Sequence, residues 1–309
     1  MSENDYDVWQ EFSCDGIGDP NATPDVVNIL MDGCFRDNIW QLFSDPRFSF
    51  YAYYPESIYK QPMPKFRILS MIHGSSRDIS WYTNRGNQNS PASFQALADK
   101  YDLIFVVPIF PVGPTDSRHI VNYHALRDSG IDYDEVLISM IAQIKQRVPT
   151  LDTKNILLGG HSGGGQYTMR FLYCHPELLM AASIGAPGDP TLLDGSLDYP
   201  WGIRDFEERY GRAIDFSELR KPVVQLLIGD KDSQQLLKSP TGSTRRERMD
   251  NLYRSLSEHG VYCRYDILEN YGHSSSFNPE QRCGKIIEFF TEVLEGRFTE
   301  DRKKSNNQV

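Results

Sequence analysis

The chain has 309 residues, of which 39% are hydrophobic, 24% charged and 12% aromatic, and its formal net charge is −10. That length buries a sizeable core without disulfide or metal staples. The acidic balance argues against a general binder of nucleic acid or of acidic membranes, because phosphate contact needs clustered Lys and Arg.

Residues 1–45 read as an N-terminal leader outside any repeating strand–helix unit. Its first residues are acidic, with no apolar stretch behind them, so a secretory signal is not expected. No run in the chain approaches the ~18 apolar residues of a membrane span. The five cysteines, Cys14, Cys34, Cys174, Cys263 and Cys283, are odd in number and widely spaced. They suit reduced thiols better than a disulfide framework or a zinc site. The expected compartment is the cytoplasm. Within the leader, residues 24–40 predict a helix with Val26, Val27, Leu30, Met31 and Cys34 on one side. Such a leader would cover a sheet edge, cover an active-site mouth, or join copies of the chain into a homo-oligomer.

From residue 48 the pattern changes. Apolar runs at 48–54, 66–72, 103–109, 155–158, 181–184, 223–228 and 261–268 suit strands buried on both faces. Between them lie helical stripes. Residues 133–148 carry Val136, Leu137, Met140, Ile141 and Ile144 and stop at Pro149; residues 164–174 follow a strand. Residues 246–259 carry Met249, Leu252, Tyr253 and Leu256 before Gly260; residues 280–294 carry Ile286, Ile287, Phe289, Phe290 and Leu294. Strands alternating with helices predict an α/β fold over residues 46–298, a doubly wound, mostly parallel sheet, followed by a flexible tail at 299–309.

Residues 188–220 interrupt this alternation and hold Tyr199, Trp201, Phe206, Tyr210 and Phe216. Ligands of doubly wound sheets sit beyond the carboxyl ends of the strands. The segment is therefore either a lid-like insertion or a surface excursion packed by its own aromatics. The basic run Arg245-Arg246-Glu247-Arg248 opens a helix and reads as a solvated face or a phosphate contact.

Gly160-His161-Ser162-Gly163-Gly164 matches G-x-S-x-G, between a predicted strand and a predicted helix. Such a turn projects the serine hydroxyl from the end of the sheet, with a helix N-terminus behind it to favour an oxyanion. His161, next to Ser162, points the other way on the strand and suits packing. A serine hydroxyl needs a base within reach, and a neutral imidazole fits that task. In the order Ser, acid, His, the histidines after Ser162 are His175, His259 and His273. His175 lies in the helix after the serine, and His259 suits a helix C-terminus before Gly260. His273 follows the last strand in a loop and is the candidate base. For the acid, Asp230 and Asp232 both follow the strand at 223–228. Asp232 is favoured because it lies further beyond the strand end, while Asp230 suits a backbone bond in the turn. Asp189 and Asp194 are rivals. The oxyanion hole calls for two N–H donors, Gly163 and Ser75, the second in His73-Gly74-Ser75-Ser76, where Gly74 would permit close approach. Trp81 and Tyr82, with Tyr199, Trp201 and Phe206 of the insertion, are candidates to line a pocket.

On His73-Gly74, Gly160-His161-Ser162-Gly163-Gly164, the segment from Gly229 to Asp232, and Gly272-His273, the chain resembles the α/β-hydrolase superfamily across about residues 48–295. The stretch from Gly163 to Phe171, with His175-Pro176 and Gly185-Ala186-Pro187-Gly188, is similar to polyhydroxyalkanoate-depolymerase-like and esterase-like serine hydrolases. The resemblance implies an ester or lactone substrate, a small molecule here, and no cofactor or metal. A thioesterase, amidase or cyclase of the same fold is the first alternative, and a non-catalytic ligand-binding member the second. Neither the leader nor the aromatic insertion is explained by the family pattern.

Overall fold

The computed structural model describes residues 34–36, 38–83, 93–113, 121–233, 235–273 and 279–298. The strands are β1 (Cys34–Arg36), β2 (Ile39–Gln41), β3 (Ser49–Tyr53), β4 (Arg67–Ile72) and β5 (Leu103–Ile109). The short pair β6 (Arg127–Asp128) and β7 (Ile131–Asp132) follows, then β8 (Ile156–His161), β9 (Leu179–Gly185) and β10 (Val223–Gly229). A hairpin of β11 (Gln235–Ser239) and β12 (Gly242–Thr244) precedes β13 (Cys263–Leu268). The helices are α1 (Ser80–Thr83), α2 (Phe94–Tyr101), α3 (Tyr133–Arg147), α4 (Gly163–Cys174), α5 (Phe206–Tyr210), α6 (Phe216–Leu219), α7 (Arg245–Glu258) and α8 (Pro279–Leu294).

The main sheet has the order β1-β2-β3-β5-β4-β8-β9-β10-β13. All neighbours from β5 to β13 run parallel. The first three strands add an antiparallel edge. Side chains alternate across the parallel strands. On β5, Ile104 and Val106 face one apolar layer, with Met140 and Ile144 of α3, Phe171 of α4 and Leu252 of α7. Leu103, Phe105 and Val107 face the other, with Phe94 and Leu97 of α2 and Ile286, Phe289 and Phe290 of α8. Helices therefore cover both faces, which is why β5 and β10 are buried along their whole length.

The helix expected to reach residue 40 is not there: residues 34–36 and 39–41 are strands. Ile39 and Trp40 pair with Tyr51 and Phe50, and Trp40 is buried, so sheet pairing outweighs the apolar stripe. Residues 24–33, and the tail at 299–309, lie outside the described residues. Helix α2 has no counterpart in the sequence reading; Ser93 caps it by accepting from the Ala96 N–H at 3.0 Å. The segment 188–220 packs onto α4 and α7. Tyr173 Oη donates to the Thr191 carbonyl at 2.9 Å, and the Leu193 N–H donates to Ser255 Oγ at 2.8 Å. Cys174, Cys263 and Cys283 are free thiols. Among the described residues no helix is long and apolar enough to cross a membrane.

Candidate active site

Strand β8 passes into α4 through Ser162, whose backbone sits at φ 58°, ψ −115°. A positive φ is costly for a residue with a Cβ and persists only where the surroundings impose it. They do so here. The Ser162 N–H donates to Gly185 O at 2.9 Å, and the Gln166 N–H donates to Ser162 O at 3.1 Å. Strand and helix meet too closely for side chains: a Cβ on Gly164 would lie 2.2 Å from the Ile72 carbonyl oxygen.

Three side chains distant in sequence come together at this turn. His273 Nε2 lies 3.1 Å from Ser162 Oγ, and His273 Nδ1 lies 2.7 Å from Asp232 Oδ2. Asp232 is 2% exposed and sits in the turn after β10. A carboxylate only accepts, so Nδ1 carries the proton and Nε2 is left to accept from the serine hydroxyl. Asp230 instead accepts from the Tyr271 N–H at 3.0 Å, and the Asn270 backbone, with Tyr271 second, holds its carboxyl below the usual range. His161 is buried beneath His273, the ring centres 5.1 Å apart, with Nε2 3.3 Å from the His273 carbonyl oxygen. Burial pushes its pKa well below the ordinary histidine value, with Arg282 adding to the effect. His175 bonds Asp134 at 2.9 Å inside the fold, and His259 caps α7 through Ser255 O at 2.8 Å.

The other side of the turn is built from residues 73–77. His73 is fully buried; its Nε2 accepts from the Phe110 N–H at 3.0 Å and its Nδ1 donates to Gly74 O at 2.9 Å. Burial lowers its pKa to about 4. A Cβ on Gly74 would meet the His161 carbonyl oxygen at 3.6 Å, an ordinary contact, so close approach does not require glycine there. It does at Gly163, where a Cβ would lie 2.1 Å from His124 Nε2. The same Nε2 lies 3.2 Å from Ser75 Oγ. Ser75, His124 and Gly163 thus share one corner beside Ser162. His124 is absent from the sequence reading because the order rule admits only histidines after the serine.

Two arginines of the basic run turn inward. Arg245 Nη1 lies 3.4 Å from Asp232 Oδ1, and Arg248 Nη1 lies 2.7 Å from Asp189. Both side chains are largely buried and ion-paired, so the run is not the solvated face expected at these two positions; Arg246, paired with Asp250, is more exposed than either. Charge count alone does not separate an inward arginine from an outward one.

The pocket candidates divide. Tyr82 and Phe206 lie in the core rather than along a cleft: Tyr82 packs edge-on to Phe94, and Phe206 against Tyr173 and Tyr210. Burying these large rings outweighs presenting them to a ligand. Trp81, Tyr199 and Trp201 are half-buried, and Tyr199 lies against Arg209, 3.7 Å from its ring centre. Among the described residues, Asp134, Glu135 and His175 place three possible metal-ligand atoms together. Both ring nitrogens of His175 are already engaged, Nε2 by Asp134 and Nδ1 by Arg212 at 3.1 Å, so the ring has no nitrogen left to offer a metal ion.

No family model and no curated protein sequence matches the chain. Solved structures do match its fold. The poly(3-hydroxybutyrate) depolymerase from Bordetella parapertussis aligns with a TM-score of 0.60 at 20% identity, over 84% of this chain and 90% of that one. Poly(aspartic acid) hydrolase-1 from Sphingomonas sp. KT-1 aligns at 0.58 and 21% identity, over 78% and 93%. An S-formylglutathione hydrolase from Agrobacterium tumefaciens aligns at 0.52 and 17%, over 80% and 89%. The chain has the α/β-hydrolase fold of these enzymes.

Proposed function

We propose that this chain is a serine hydrolase that cleaves a carboxylic ester or lactone of a small, moderately apolar molecule through an acyl-enzyme. One observation carries the reading: His273 bridges Ser162 Oγ at 3.1 Å and Asp232 at 2.7 Å, in the tautomer a general base needs. Ser162 attacks the carbonyl carbon while His273 Nε2 takes its proton. The N–H groups of Gly163 and Ser75 hold the resulting oxyanion. His273 then protonates the departing alcohol, and water repeats the cycle on the acyl-enzyme. Asp232 holds the ring and stabilises the imidazolium. The scheme calls for no cofactor and fits a cytoplasmic enzyme.

Hydrolase function is supported by the fold shared with esterases and depolymerases. The preference for a moderately apolar group is suggested by the half-buried aromatics Trp81, Tyr199 and Trp201. A lid role for 188–220 belongs to the same proposal, as does self-association through the leader. The deciding experiment pairs Ser162→Ala with a fluorophosphonate probe. Wild type is expected to be labelled at Ser162 and the variant to lose roughly 10⁴-fold or more in ester turnover. Equal turnover by the two proteins would end the assignment. A panel of esters, thioesters, lactones and amides then sorts the reaction class.

A further inference from the structure

Arg170 is a buried cation, 2% exposed, on the face of α4 that turns toward the loop before β6. Among the described residues every acceptor it meets is uncharged. Nη1 donates to the His124 carbonyl at 2.6 Å and to Gln166 Oε1 at 3.4 Å; Nε donates to Thr191 Oγ1 at 3.2 Å; Nη2 donates to the Asp189 carbonyl at 3.0 Å. A cation without a counter-ion is costly to enclose. Its field is therefore strong where no other charge cancels it, and screening by water is weak.

The contacts run in one direction. With Gln166 Oε1 accepting from Arg170, the amide nitrogen of Gln166 faces His124 Nδ1, at 3.4 Å. An amide nitrogen only donates, so Nδ1 accepts and the ring proton sits on Nε2. That Nε2–H points to Ser75 Oγ at 3.2 Å, and the ring stands over Gly163, where a Cβ would fall 2.1 Å from Nε2. Both groups named above as oxyanion donors therefore border the end of a polarised chain: Arg170, Gln166, His124, Ser75. Successive hydrogen bonds polarise one another, and such dipoles act best where negative charge develops.

We infer that His124 is a positioning residue for the oxyanion hole: held by Arg170 and Gln166, it fixes Ser75 and brings positive potential to the site beside Gly163. The inference rests on the hydrolase reading. It extends the machinery beyond Ser162, Asp232 and His273 to a histidine on the N-terminal side of the nucleophile.

The test compares His124→Ala, Ser75→Ala, their double variant and Gln166→Leu in the full chain. The readouts are steady-state hydrolysis of p-nitrophenyl acetate and inhibition by phenylboronic acid, which forms an anionic tetrahedral adduct on a serine. The expected result for His124→Ala is a fall in kcat of about 10–100-fold with KM little changed, and a matching rise in the boronate inhibition constant. Ser75→Ala, which keeps the backbone N–H, should show part of the same loss, and the double variant should be no worse than His124→Ala. Gln166, on a partly exposed helix face, gives a variant that folds even if the buried histidine does not tolerate change; its loss should follow the same split. Wild-type kcat in His124→Ala or in folded Gln166→Leu, or independent losses that multiply in the double variant, overturns the inference. In those cases fluorophosphonate labelling of Ser162 persists. Failure of the hydrolase reading is distinct, because it removes labelling and leaves Ser162→Ala as active as wild type.

Discussion

Arg245 and His273 hold opposite oxygens of one carboxylate: Nη1 of Arg245 lies 3.4 Å from Oδ1 of Asp232, and Nδ1 of His273 lies 2.7 Å from Oδ2. The carboxylate cannot turn without breaking one contact, so the arginine fixes the plane that orients the imidazole. If the proposed reaction is right, Arg245→Ala should lower kcat roughly 10-fold or more, because His273 would lose its alignment, with Arg245→Lys recovering part of it. Steady-state kinetics on a p-nitrophenyl ester measure this; an unchanged kcat in Arg245→Ala would show that Asp232 holds its place alone.

Asp232→Asn keeps the shape and reverses the donor pattern. An amide in that position can donate to Nδ1 and so favours the tautomer with Nε2 protonated, which cannot accept from Ser162. The expected loss in kcat is about 10³–10⁴-fold, with the fold intact by circular dichroism. A loss of only a few-fold would point to another acid.

Gly163→Ala brings a methyl group into the space of the His124 ring, 2.1 Å from Nε2. Ring or helix must shift, and the corner formed with Ser75 beside Ser162 shifts with it. A fall in kcat of about 100-fold is expected in the wild-type background. In the His124→Ala background the same substitution should cost little further. An equal cost in both backgrounds would mean that the clash lies elsewhere.

His73 ties stability to pH. Folded, its pKa is about 4; unfolded, it returns to the ordinary 6.5. Above 6.5 the ring is neutral in both states and contributes no pH dependence. As pH falls from 6.5 toward 4 the unfolded chain takes up a proton that the folded chain refuses, because burial disfavours the charged ring. Stability therefore drops with falling pH, by roughly 2–3 kcal/mol at pH 4.5 from this residue alone. Denaturant titrations of wild type and His73→Asn at pH 7 and 4.5 check it. The variant should lose less between the two values; parallel losses would place the effect on other groups.

Phe110 stands at the centre of an aromatic group. Its ring lies 5.3 Å from those of Tyr123 and Tyr133 and 5.7 Å from that of His73. Phe110→Ala should cost about 3–5 kcal/mol of unfolding free energy, read from denaturant midpoints. A cost near zero would mean that the neighbouring rings refill the space.

Most of the parallel sheet is readable from sequence because strands buried on both faces need unbroken apolar runs, as at Leu103–Ile109 and Val223–Gly229. The elbow, Asp232 and His273 are readable because chain order and loop position restrict the choice. Other parts carry no such mark. Strands β1 and β2 are three residues each, too short for a period to emerge. His124, Arg170, Arg245 and Gln166 acquire their places only from tertiary contact. The glycine at 74 shows the converse: its motif is legible, yet the close approach expected of it falls at Gly163 and Gly164.

The anchoring of Arg170 ties regions that a schematic drawing would separate. One side chain grips the loop carrying His124, the helix behind Ser162, and, through Asp189 and Thr191, the opening of the aromatic segment 188–220. Those three regions should open as a single cooperative unit in hydrogen exchange, ahead of the sheet. Mild heat would then silence the protein while most of its secondary structure still stands.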